Sequence, residues 1–133
     1  MSTFSATCDT IVREIRTNAV VFVSPRYGNQ EAQPVVVTAL WDTGAVYSVI
    51  SNAFAAKLRL QEFDRGRNYT AQGSYETSVY LLSIVLPNGI VVPDLRVSSG
   101  EFQDFDFLLG MDVISLGDFP VTNKEVTRFA FRI

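Results

Sequence analysis

Asp42 is the residue of this chain best placed to do chemistry. It closes the apolar, β-branched run Val35-Val36-Val37-Thr38-Ala39-Leu40-Trp41, and Thr43-Gly44-Ala45 come after it before a second apolar run through Val49 and Ile50 leads away. The first run has the composition of a buried strand, and Gly44 stands where that strand should break into a tight turn. A carboxylate at the end of a buried strand is costly to desolvate, so its presence demands a role. A structural role is available: a turn aspartate whose oxygens are capped by the amides of Gly44 and Ala45. The inventory of other reactive groups narrows the chemical roles. The chain has no histidine and one cysteine, Cys8. Ser-His-Asp triads, Cys-His pairs and histidine-ligated zinc are therefore excluded. Hydrolysis without a metal would fall to carboxylates as acid and base.

The elements that would position Asp42 are mostly strands. Cys8–Arg16 reads as an early strand or arm, and Ala19–Val23 as a strand closed by Ser24-Pro25. Residues 26–33 read as a turn around Gly28-Asn29, and Pro34 opens the central strand. Ser51-Asn52 offers an N-cap for a short helix with Phe54, Ala55 and Leu58 on one face, ending near Leu60. Gln61–Asn68 reads as a charged connector. A small, polar stretch around Gly73 leads into a half-buried strand over Ser78–Leu86, and Pro87-Asn88-Gly89 turns the chain into Ile90–Val92 and on to Ser98. Phe105–Ile114 is a second apolar landmark. In the last segment Phe129, Phe131 and Ile133 alternate with Arg128, Ala130 and Arg132, the pattern of an edge or interface strand. Many short strands with little helix predict an all-β, barrel-like domain.

Composition sets outer limits. At 133 residues and 47% hydrophobic content, the chain has material for one well-buried domain. A net charge of −3 with no basic run argues against nucleic acid as a partner. No segment approaches the roughly 18 apolar residues of a membrane span. Residues 1–7 carry no secretory signal and Cys8 has no partner for a disulfide, which predicts a cytoplasmic protein. Without an activating histidine, Cys8 reads as an inert thiol. Asp104, Asp106, Asp112 and Asp118 have no recognisable ligand spacing and read as turn caps and solvated loop residues rather than a metal site.

Three features in order resemble the retropepsins, the single-domain, retroviral-type aspartic proteases: Asp42-Thr43-Gly44-Ala45 with Ser48-Val49-Ile50, then Ala71-Gln72-Gly73, then Phe107-Leu108-Leu109-Gly110 followed by Met111–Ile114. The likeness runs from about Val20 to Ile133. It implies a closed β-barrel-like acid-protease fold with one or two short helices, one lobe per chain. The single domain would span 1–133, with 1–18 available as an N-terminal arm. The first feature would be the catalytic loop, with Asp42, Thr43 and Gly44 as its catalytic residues. The second would be a flap over the substrate, with Gly73, Ser74 and Tyr75 joining Ala45, Val46 and Tyr47 in substrate binding. In the third, Leu108, Leu109 and Gly110 would pass beneath the catalytic loop. Gly110 suits that place because only a residue without a side chain lets two backbones pass so closely.

The implied reaction is peptide hydrolysis by a water held between two carboxylates, needing neither metal nor cofactor. Asp-Thr-Gly occurs once and Asp-Ser-Gly not at all, so the resemblance implies a homodimer with Asp42 and its mate on the two-fold axis and the Thr43 hydroxyls interlocked across it. Viral members commonly carry acidic residues after the Asp-Thr-Gly-Ala and an arginine after the second glycine. Here Val46, Tyr47 and Met111 stand there, so both partners of an ion pair are absent together and the pocket wall should be more apolar. The alternative is a catalytically silent retropepsin-like dimerisation or peptide-binding module.

Overall fold

The computed structural model describes residues 2–24 and 33–133; of the turn expected over 26–33, all but residue 33 lies outside the described residues. The β-branched run forms strand β3 (Val35–Trp41) as its composition requires, paired antiparallel with β2 (Ile15–Val23) from Ile15↔Trp41 to Val21↔Val35. On the other side β3 runs parallel to the short β8 (Phe107–Leu109), which lies antiparallel to β4 (Val49–Ser51). β4 in turn is parallel to β7 (Val91–Gly100), and β7 is antiparallel to the long β6 (Gly73–Val85). The second half of β6 also pairs with β2, so the order β2-β3-β8-β4-β7-β6 returns to β2 and makes a barrel-like ring. The first half of β6 runs past the ring and pairs with β5 (Asp64–Thr70) in a projecting hairpin.

The ring is filled from both sides. Val21, Val37, Ala39, Ile50, Leu82, Ile84, Phe107 and Leu109 are fully or almost fully buried in one cluster. Helix α1 (Asn52–Lys57) is capped by Ser51, whose Oγ accepts the Phe54 N–H, and its Ala55 faces that core. The helix stops short of the expected Leu60: its C-cap is Leu58, and Arg59 follows with φ 52°. The Pro87-Asn88-Gly89 turn is in place, with the Gly89 N–H on the Leu86 carbonyl and Gly89 at φ 81°.

A second, three-stranded sheet packs against the Trp41 end of β3 in the order β1 (Thr3–Thr7), β10 (Arg128–Arg132), β9 (Val121–Thr122). The alternating final strand is thus the middle of this sheet and not its edge, because β1 of the same chain pairs with it from Thr3↔Arg132 to Thr7↔Arg128. Its inward face carries Phe129 and Phe131 against Trp41, which is 5% exposed. Trp41 stacks on Phe119 at 4.9 Å and meets Phe131 at 5.1 Å and Phe4 at 5.6 Å, while its indole N–H donates to Thr17 Oγ1. The residue next to Asp42 is core packing, held at both its apolar and polar ends. Two readings of element type need correction: at 61–68 the charged connector is strand β5 from Asp64 onward, and the early strand expected over Cys8–Arg16 is displaced, since β1 ends at Thr7, β2 begins only at Ile15 and the residues between them connect the two sheets.

Candidate active site

Asp42 begins the loop between β3 and β4, and β8 lies between those two strands. The loop therefore arches over the end of β8 and is tied to the backbone just beyond that strand. The Asp42 N–H donates to the Leu109 carbonyl at 2.9 Å, the Met111 N–H to Ala45 O at 2.8 Å and the Asp112 N–H to Val46 O at 3.1 Å. Gly110 crosses directly beneath. A Cβ built there would lie 2.7 Å from the Tyr47 carbonyl carbon and 2.8 Å from its oxygen, so the close approach itself requires glycine.

The side chain that locks the crossing is Asp112, in helix α2 (Met111–Ile114). Its Oδ2 accepts the Ser48 N–H at 2.9 Å; its Oδ1 accepts the Ser48 hydroxyl at 2.7 Å and the Val113 N–H at 3.0 Å. Ser48 Oγ in turn accepts the Gly110 N–H at 3.1 Å, and Ser48 is fully buried. Asp112 is thus the turn cap that its sequence context suggests, and the turn it caps is this one. Asp106 does similar work at the other end of β8, accepting the Thr38 N–H at 2.8 Å. No group of three His, Cys, Asp or Glu suited to a metal occurs among the described residues.

At the apex, Asp42 Oδ1 accepts the Gly44 N–H at 2.8 Å. The Ala45 N–H goes to the Asp42 backbone carbonyl, so the expected side-chain cap uses one amide and not two. Asp42 is half-buried; Thr43 and Gly44 are exposed. The loop thus presents its acid and hydroxyl outward on a rigid mount.

Beside the apex runs a groove of about 540 Å³. One wall is the loop, through Gly44, Ala45, Val46 and Tyr47, with Tyr47 70% exposed. The floor includes Val49 and Leu108. The β5–β6 hairpin stands over it with Arg67, Tyr69 and Tyr75, joined by the two-residue turn Ala71-Gln72 between Thr70 and Gly73. Gly73 has φ 132°, a backbone open only to glycine. Of the expected substrate-binding residues, the fold brings Ala45, Val46, Tyr47 and Tyr75 to the groove. Gly73 and Ser74 sit at the hairpin tip outside its lining, and Ser74 Oγ accepts from Arg67 Nη1 at 3.3 Å. Arg67 escapes a reading of the sequence because the composition around it is that of a connector, and Tyr69 because it opens the small, polar stretch that leads to Gly73.

Glu101 and Phe102 escape it too; they form the third wall from the loop after β7. That wall is braced: Phe102 stacks on Phe105 at 4.4 Å, Arg16 lies over Phe105 at 5.7 Å, and Arg16 Nη1 donates to the Asp104 carbonyl at 2.7 Å. At the hairpin's base Arg96 reaches across β6 to Asp64 at 3.2 Å. The Arg65 backbone N–H, and after it Arg96, hold the Asp64 carboxyl below its ordinary range.

Comparison with known proteins agrees with this arrangement. Solved structures of aspartic proteases share the fold, among them the following three. A retropepsin-like aspartic protease from Rickettsia conorii has TM-score 0.56 at 19% identity, over 98% of this chain and 95% of that one. The EIAV protease complexed with the inhibitor HBY-793 has TM-score 0.56 at 20% identity, over 80% and 91%. The protease of simian foamy virus (mac) has TM-score 0.50 at 18% identity, over 74% and 92%. No curated protein sequence matches. The family model described as gag-polyprotein putative aspartyl protease matches residues 31–116, which contain the Asp42 loop, the hairpin and the Gly110 crossing, and the chain belongs to that family.

Proposed function

We propose that this protein is an aspartic endopeptidase that acts as a homodimer, with Asp42 of each chain flanking one water. One ionised carboxylate takes the water's proton as the oxygen attacks the peptide carbonyl carbon; the protonated partner donates a hydrogen bond, then the proton, to the carbonyl oxygen. Two like charges at that distance cannot both ionise, so the pair shares one proton, the established behaviour of aspartic proteases. Collapse of the tetrahedral species breaks the C–N bond and returns a proton to the leaving amine. Gly44 orients the carboxylate through its N–H, and Thr43 interlocks the two loops. Ala45, Val46, Tyr47 and Tyr75 contact the polypeptide, and the hairpin tip at Gly73 and Ser74 closes over it. Leu108, Leu109 and Gly110 support the loop from below. The free thiol of Cys8 suits a reducing cytoplasm, where we place the enzyme.

The observation that carries this reading is the single Asp-Thr-Gly at an exposed loop apex, anchored by Leu109 and Gly44, beside a groove roofed by a hairpin. Half a carboxylate pair has no hydrolytic use alone, so the mass in solution and the activity must agree. Asp42→Asn should abolish cleavage of a broad peptide mixture at mildly acid pH while light scattering still gives the dimer mass. A monomeric mass, or undiminished cleavage by the variant, would remove Asp42 from the mechanism.

A further inference from the structure

Past Tyr47 the groove continues. A second hollow, of about 450 Å³, shares Tyr47, Arg67 and Ser98 with the first as lining. Its own character is different. Arg67 comes from the hairpin and Arg96 from β7, with Val79 and Val97 as aliphatic floor. Gly66 keeps the hollow open, since a Cβ there would press to 3.0 Å from Val79 Cγ2.

Among the described residues, no carboxylate lines this space. Each guanidinium has an acidic neighbour, Asp64 at 3.2 Å from Arg96 and Glu76 at 4.0 Å from Arg67, yet both neighbours stand outside the lining. Arg67 also donates to Ser74 Oγ at 3.3 Å; an arginine carries five N–H donors, so these contacts still leave donors for another anion. Arg96 lies over the Phe63 ring at 5.4 Å, a contact that helps hold it in place. Two cations above an aliphatic floor fit a short apolar stem ending in a planar carboxylate, and two forks meeting one carboxylate give directional selection.

We propose that this hollow is a specificity subsite for an acidic side chain, glutamate above aspartate, of the polypeptide substrate. The proposal rests on the proteolytic reading, because only an extended chain lying in the first groove would deliver a side chain past Tyr47 into the second. Glutamate fits better because its extra methylene lies on Val79 and Val97 while its carboxylate reaches the arginines. The charge selected is thus remote from the water and independent of the apolar wall at Val46.

The test uses the full chain and a synthetic peptide mixture randomised at each position. Glutamate should be enriched at one fixed distance from the cut bond. For a matched peptide pair with Glu or Gln there, kcat/KM should favour Glu by about fivefold, the yield of one half-exposed ion pair. The Arg67→Gln/Arg96→Gln double variant, with native Trp41 fluorescence confirming its fold, should bring that ratio near one. Arg96→Glu should turn the preference toward a Lys peptide. Cleavage with no acidic enrichment, or a Glu/Gln ratio that survives the double variant, overturns the subsite and leaves the protease intact. Absence of cleavage of any peptide overturns both.

Discussion

Asp112→Ala should cost more stability than any ordinary truncation in a helix of four residues. The carboxylate accepts three hydrogen bonds, from Ser48 N–H, Ser48 Oγ–H and Val113 N–H. Two of those donors belong to a fully buried residue, so water cannot replace the lost acceptor without opening the crossing. Each stranded buried donor costs about 1–3 kcal/mol, and the Val113 N–H, at a helix start, about 1. A loss of roughly 3–7 kcal/mol results, a large share of the stability of a domain this size. Asp112→Asn separates charge from geometry: its single acceptor can keep the Ser48 N–H, but its amide then faces the Val113 N–H donor to donor and strands the Ser48 hydroxyl proton. About 2–4 kcal/mol should be lost. The lone, buried Trp41 reports unfolding directly, so urea titration by fluorescence at one fixed protein concentration gives both values. With a slope of about 2 kcal/mol/M, the alanine variant should unfold about 1.5–3.5 M earlier than wild type and the asparagine variant about 1–2 M earlier. If the alanine variant falls within about 0.5 kcal/mol of wild type, the latch between Ser48 and α2 does not hold the loop.

Two further outcomes can be measured with the same protein. Gly110→Ala places a carbon 2.7 Å from a backbone carbon that a strand end and three hydrogen bonds hold in place, so it should lower the melting temperature by roughly 10 °C, about 3 kcal/mol, and reduce activity with it; a melting temperature unchanged by calorimetry would mean that the loop yields freely. Asp64, held below its ordinary pKa in the folded chain, adds stability that is present above about pH 4 and lost as pH falls through the lowered native value, so the urea midpoint of wild type should exceed that of Asp64→Asn at pH 7 and the gap should close toward about pH 2. A gap that widens on acidification has the wrong sign for this assignment. The pair is exposed, so the gap should be small.

How much of the fold can be read from the sequence depends on how locally each feature is encoded. β3 and the Asp42 turn are readable because one run of β-branched residues meets one glycine, and both act within a few residues. Gly110 is readable because a close crossing leaves a glycine as its trace. β5 is lost because Asp64-Arg65-Gly66-Arg67-Asn68 has a solvent-facing composition; its strand form comes from pairing with β6, register by register from Asp64↔Val79 to Thr70↔Gly73, and not from any propensity of its own. Of the two groove residues on it, Arg67 is lost with it, and Tyr69 with the small, polar stretch that it opens. Phe102 and Glu101 are equally beyond reach, since their position depends on a stack and a cation from β2, more than eighty residues away. The final strand misleads for a related reason: an alternating pattern marks one buried face, and it does not say whether the neighbouring strand belongs to the same chain.

The departures from the viral pattern show why the loop tolerates them. Val46, Tyr47 and Met111 contribute no charge to the crossing, yet the backbone bonds from Met111 to Ala45 and from Asp112 to Val46 run regardless of side chain. Asp112 then supplies an acceptor that Ser48 needs. Loop rigidity is therefore set by main-chain geometry and one carboxylate, while the side chains at 46 and 47 remain exposed and free to shape the groove. In the proposed enzyme the two tasks, holding Asp42 still and choosing what lies against it, would fall on different atoms of the same loop. A substitution at Val46 or Tyr47 should accordingly alter peptide preference without loosening the acid, whereas one at Ser48, Gly110 or Asp112 should displace it.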